Sequence, residues 1–216
     1  MSVRATSRST AFRAILVVDC GSKKVDSIER AVFRGGLEPQ VVRMNELKSI
    51  HLTRHRGIII SGSPILLTEA NIYAYVELFN FTRSGNCPIM GICFGHQAIG
   101  LVYGAQAFRG PECRTRQTVQ VVQADRLFDG LDSTFYVDED HCEGITLPDQ
   151  FILLARSGSY EVEAMKHRDK DTYGVQFHPE TSGEPGRKIM GNFLKLCSSQ
   201  ATPAASRSPN GHTSSS

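Results

Sequence analysis

The chain has 216 residues, 40% hydrophobic and 21% charged, which suits an ordinary soluble domain whose core needs no disulfide or metal staple. This composition excludes a disordered chain, a collagen-like chain and a coiled coil. A net charge of +2 leaves no electrostatic footprint for nucleic acid, and no apolar run approaches the roughly 20 residues that span a bilayer.

Residues 1–12 are rich in Arg and Ser and read as a flexible arm; a transit peptide has similar composition, but there is no amphipathic helix and no secretory apolar core. Residues 13–197 form the expected domain. Residues 198–216 are low in complexity and read as a disordered tail. The six cysteines have no regular spacing, so they read as reduced thiols in a cytoplasmic setting.

Within the domain, Ala14–Asp19 reads as a strand, and Lys24–Phe33 as a helix that stops at Gly35 and Gly36. Gln40–Met44 follows as a strand, Glu46–His55 as a short helix and Gly57–Ser61 as a buried strand. Ala70–Arg83 is expected to be helical, Pro88–Ile92 a strand and Gly95–Tyr103 a helix. This alternation predicts an α/β fold with an open, mostly parallel sheet flanked by helices. Further strands are expected at Thr118–Gln123, Thr134–Val137, Phe151–Ala155, Glu161–Lys166 and Thr172–Phe177, with short connections that point to an antiparallel addition and a mixed sheet. Gly186–Cys197 reads as the closing helix.

Gly91-Ile92-Cys93-Phe94-Gly95-His96-Gln97 carries the strongest chemical signal. A nucleophile between small residues at a strand-to-helix junction is a nucleophile elbow. The following helix aims its N–H groups and positive dipole end at the sulfur, which favours the thiolate. Taken by itself, the segment fits a buried cysteine in a tight turn equally well. The late segment Phe177-His178-Pro179-Glu180 ends a strand with His-x-Glu, and residues i and i+2 of an extended segment face the same way. Glu180 is therefore placed to orient His178, leaving the other ring nitrogen for Cys93. His96 reads as structural or surface, and His51 and His55 lack a third metal ligand. Arg114 and Arg116 read as a solvated loop.

The two segments together resemble the class I, or triad, glutamine amidotransferases, over residues 14–197. The resemblance implies a flavodoxin-like fold and hydrolysis of L-glutamine through a thioester on Cys93, with His178 and Glu180 completing the triad. It further implies an oxyanion hole from the N–H groups of Ser63 and Phe94, with Gly62 and Gln97 binding substrate. Within the class, Val18–Ser22, Asp140–Glu143 and Tyr173–Glu180 are most similar to the glutaminase part of GMP synthetases. That likeness makes His141 and Glu143 candidates for a partner interface, although Asp140, Cys142 and Glu143 depart from the family pattern. No phosphate-binding loop or ATP-pyrophosphatase segment is visible, so an ATP-dependent synthetase subunit is the expected acceptor of ammonia. Neither a cofactor nor a metal is expected. The alternative reading is a γ-glutamyl peptide hydrolase that uses the same triad without a partner.

Overall fold

The computed structural model describes residues 14–199. The expected arm, 1–12, and all of the expected tail except Ser198 and Ser199 lie outside the described residues.

A nine-stranded sheet forms the centre, built from β1 (Ala14–Asp19), β2 (Glu38–Arg43), β3 (Gly57–Ile60), β4 (Ile89–Ile92), β6 (Arg116–Val121), β7 (Thr134–Asp138), β9 (Phe151–Ser157), β10 (Ala164–His167) and β11 (Thr172–Val175). Its order is β2-β1-β3-β4-β11-β10-β9-β6-β7. The first five strands in that order run parallel, and β10, β9, β6 and β7 continue antiparallel. Strands β5 (Ala107–Cys113) and β8 (His141–Ile145) pair in a separate antiparallel ribbon.

Strand β1 shows how one sequence serves two faces. Ile15 and Val17 join the core beneath α1 (Val25–Arg34) and α4 (Gly183–Ser199). Leu16 and Val18 join the core beneath α2 (Ile72–Phe79) and α3 (Phe94–Val102). A strand covered on both faces must be apolar throughout, which explains its unbroken hydrophobic run. On the first face, α1 buries Val25, Ile28 and Val32, while α4 buries Ile189, Met190, Phe193 and Leu194.

Several elements depart from the sequence expectations. Glu46–His55 is not one helix but two 3-10 segments, Met44–Ser49 and Leu52–Arg54, so His51 and His55 share no helical face. Strand β2 begins earlier than expected and contains Pro39; among the described residues it pairs only with β1, and a sheet edge tolerates the missing N–H. Helix α2 stops at Phe79 and tightens into a 3-10 turn at Asn80–Arg83. The β5 and β8 ribbon has no clear alternation: β5 contains Gly110 and Pro111, and the pairing shifts register between Arg109 and Cys113. Ser198 and Ser199, expected in the tail, continue α4, and their hydroxyls donate to the carbonyls of Leu194 (3.0 Å) and Leu196 (2.9 Å).

Candidate active site

Three adjacent parallel strands deliver the candidate residues to one edge of the sheet. In register, Ile60 of β3 lies opposite Gly91, and Val175 of β11 lies opposite Ile92. The chain leaves β3 into Ser61-Gly62-Ser63, leaves β4 at Cys93, and leaves β11 toward His178. The carboxyl ends of parallel strands are where open α/β sheets bind ligands.

Cys93 sits in the elbow between β4 and α3 with φ 51° and ψ −108°, the only non-glycine residue with positive φ among the described residues. Backbone of this kind is costly, about 1–3 kcal/mol, and persists only when the surroundings enforce it. Here the Cys93 N–H donates to Val175 O at 2.9 Å, and Cys93 O accepts from Gln97 N at 3.1 Å. The flanking glycines are required by close packing. A Cβ on Gly95 would collide with Ile60 O, and one on Gly91 with the Gly95 carbonyl. Phe94 is the first residue of α3, so its N–H has no intrahelical acceptor.

His178 is anchored by its backbone: its N–H donates to Asp138 O at 2.9 Å, and its carbonyl accepts from the Ser182 hydroxyl at 2.6 Å. Its Nδ1 lies 2.8 Å from Oε1 of Glu180, and both side chains are buried. The ring also interacts with the Cys93 side chain. Burial alone would push the imidazole pKa down, but the interactions with Cys93 and Glu180 outweigh it and raise it to about 10. His178 is therefore an imidazolium at neutral pH, between a sulfur and a buried carboxylate.

Gly62 lies against this pair; a Cβ there would stand 3.1 Å from His178 Cε1 and 3.6 Å from Cys93 Cβ. Ser63 does not have positive φ, so its side chain is carried without backbone strain. Its hydroxyl accepts from Ile65 N at 3.2 Å. Cys93, His178, Ser63, Phe94 and Gln97 together line a cleft of about 420 Å³. The Gln97 amide nitrogen donates to Glu143 O at 2.9 Å and Gln176 Oε1 at 3.0 Å.

His141 and Glu143, expected at a partner interface, line the cleft from within the chain. Both are buried, and their bonds are internal. His141 Nδ1 meets Glu143 O at 2.9 Å and Nε2 meets Glu139 Oε2 at 2.9 Å. The Glu143 carboxylate accepts from Leu67 N at 2.7 Å, from Thr68 N at 3.0 Å and from the Thr68 hydroxyl. Asp140 is the exposed acid of that segment, on the cleft rim between Lys24 Nζ at 2.9 Å and Arg114 at 2.5 Å. Partial burial opposes its ionisation, but the two cations hold its pKa at about 2. Arg114, expected in a solvated loop, thus helps shape the rim. His96 is fully buried in the core, where desolvation, helped by His141, lowers its pKa to about 3. No sequence signal links Lys24 or Leu67 to this site, because their partners lie far along the chain.

Residues 16–197 match the family Glutamine amidotransferase class-I. The chain is 36% identical to the glutamine-hydrolyzing GMP synthase subunit of Pyrococcus furiosus over 187 residues, covering 85% of this chain and 98% of that protein. The corresponding subunit of Methanosarcina barkeri is 35% identical, over 85% of this chain and 96% of its own length. Among solved structures, a GMP synthase subunit from Thermoplasma acidophilum superposes with a TM-score of 0.76 at 30% identity, covering 87% of this chain and 95% of that one. This chain belongs to the class I glutamine amidotransferases, and its mixed sheet flanked by helices is the flavodoxin-like fold of that class.

Proposed function

We propose that the protein hydrolyses L-glutamine at Cys93 and supplies the ammonia to a separate ATP-dependent synthetase subunit, as in GMP synthesis. The observation that carries this reading is the buried line Cys93–His178–Glu180 at the mouth of the cleft. The relatives named as GMP synthase subunits support the acceptor. They also weigh against the partner-free γ-glutamyl peptide hydrolase.

In the first half-reaction the Cys93 thiolate attacks the substrate carboxamide carbon. The N–H groups of Ser63 and Phe94 receive the developing oxyanion, electrostatic help typically worth about 2.7–4 kcal/mol per donor. The His178 imidazolium gives its proton to the departing nitrogen, ammonia leaves, and a γ-glutamyl thioester remains on Cys93. In the second half, His178 takes a proton from water, hydroxide adds to the thioester, and glutamate departs as the thiolate reforms. Glu180 keeps the ring oriented and stabilises its charged form throughout. Gln97, fixed through its amide nitrogen, turns its carbonyl oxygen toward the substrate. Cytoplasmic residence is part of the proposal; all six cysteines are unpaired, as a reducing compartment would keep them.

Ammonia release from glutamine, measured beside cleavage of γ-glutamyl peptides, tests the reading. Glutamine turnover that rises when an ATP-pyrophosphatase subunit is added supports it. Peptide cleavage in preference to glutamine contradicts it.

A further inference from the structure

Behind the cleft, three chain segments converge on a buried cluster that glutamine hydrolysis does not employ. Glu139 follows β7, His141 begins β8, and Glu163 precedes β10. One ligand atom from each lies within 4.8 Å of the other two, and all three residues are buried.

The hydrogen bonding of His141 sets the chemistry. Its Nδ1 is 2.9 Å from the carbonyl oxygen of Glu143, which can only accept, so Nδ1 carries the proton. In the neutral ring, Nε2 then presents a lone pair, and it faces Glu139 Oε2 at 2.9 Å. On the other side stands Glu163, 0% exposed, with neither carboxylate oxygen hydrogen-bonded among the described residues. Glu139 Oε1 is likewise buried, and the Cys113 thiol lies beside that carboxyl group. An imidazole lone pair and two carboxyl groups thus face one another, with only a proton to share between the two acids in the metal-free protein. Buried acceptors in this arrangement require a positive charge.

We propose that Glu139, His141 and Glu163 bind a divalent transition-metal ion, with zinc the best match. Imidazole and carboxylate oxygens are ligands of Zn²⁺, and a ligating histidine characteristically donates its other N–H to a backbone carbonyl or carboxylate. Bonds of about 2.0–2.2 Å place tetrahedral ligands roughly 3.4 Å apart, so the 2.9 Å pair must open slightly and the third ligand close in. The ion enters through the floor of the cleft, which His141 and Cys142 line. Its role is positional. His178 N bonds Asp138 O, next to Glu139, and Gln176 N bonds Glu163 O at 2.8 Å. The ion therefore ties together the two segments that hold the His178 backbone. Shared protons are the competing occupant, and they distinguish themselves by needing no metal.

The test uses the full chain carrying Cys93→Ser, so that the cysteine and His178 at the elbow do not themselves capture zinc. Metal-free protein is titrated with Zn²⁺ in competition with a chromophoric chelator, and thermal unfolding is followed with and without zinc. One ion per chain is expected, with a raised unfolding midpoint. Glu163→Gln should weaken binding by about tenfold or more and abolish the rise, while the exposed control Glu161→Gln changes neither. Should Glu163→Gln fail to fold, the visible spectrum of the Co²⁺-loaded parent decides: intense four-coordinate bands support the site, and weak six-coordinate bands overturn it. A parent that binds no zinc, or a folded Glu163→Gln that binds it as tightly as the parent, overturns the proposal.

Discussion

Glu143 and Leu67 are 76 residues apart, and the carboxylate of one accepts the N–H of the other at 2.7 Å. With Thr68 bonded to the same carboxylate, Glu143 ties the stretch just after Ser63 and Pro64 to the strand that begins at His141. The loop that presents the Ser63 N–H is therefore fixed from below by a buried charge.

Replacing that charge tests the tie. Glu143→Gln keeps the size but turns an amide toward the Leu67 and Thr68 N–H groups. We expect kcat for glutamine to fall about tenfold, near 1.4 kcal/mol, with a smaller change in KM, because transition-state rather than ground-state contacts loosen. Steady-state ammonia release measures both constants; an unchanged kcat would detach Glu143 from the oxyanion loop.

Ser63 is expected to act through its backbone. Ser63→Ala should retain turnover within a few-fold, whereas Ser63→Pro removes the N–H and should lose about 10²–10³ in kcat. Circular dichroism establishes that each variant is folded before the rates are compared. Equal losses in both variants would assign the effect to the hydroxyl.

Gly95 lets α3 approach β3 closely. Its Cβ position is already filled by Ile60 O, a backbone atom that cannot rotate away. Gly95→Ala should destabilise the fold by about 1–3 kcal/mol, read from urea midpoints, and should lower turnover by displacing Phe94. Wild-type stability in this variant would refute the close approach of α3 to β3.

His178 couples stability to pH. Its pKa rises on folding from 6.5 to about 10, so the folded state holds the proton more tightly than the unfolded chain. The resulting stabilisation is fully present below about pH 6.5 and is lost as pH rises through about 10. Glu180→Gln weakens the hold on that proton, so the urea midpoint should fall less between pH 6.5 and 10 than in the wild type. The same variant should be slower with glutamine, though less impaired than His178→Ala. Identical pH profiles would show that Glu180 does not stabilise the imidazolium.

The parts of the site that were legible in the sequence are those encoded within a few residues. Gly91, Cys93 and Gly95 announce an elbow because each glycine answers a local steric demand. His178 and Glu180 face the same way because the segment is extended. The tie from Glu143 to Leu67 and Thr68 is not legible in the sequence, because those partners are distant along the chain and nothing near Glu143 signals burial. Glu139 and Glu163 stayed invisible for the same reason. In the fold, the buried strands β1, β3 and β4 were plain from their apolar runs. The ribbon of β5 and β8 was missed because Gly110, Pro111 and a register shift erase its alternation, and Pro39 hid the start of an edge strand.

The proposed reaction requires that Cys93 carry a γ-glutamyl thioester during turnover. Acid-quenched protein taken from steady-state glutamine hydrolysis should show, by mass spectrometry of its peptides, a γ-glutamyl adduct on the Cys93 peptide and on no other cysteine. Cys93→Ser should show neither adduct nor turnover while remaining folded. Normal ammonia release from Cys93→Ser, or an adduct on a different cysteine, would contradict the account.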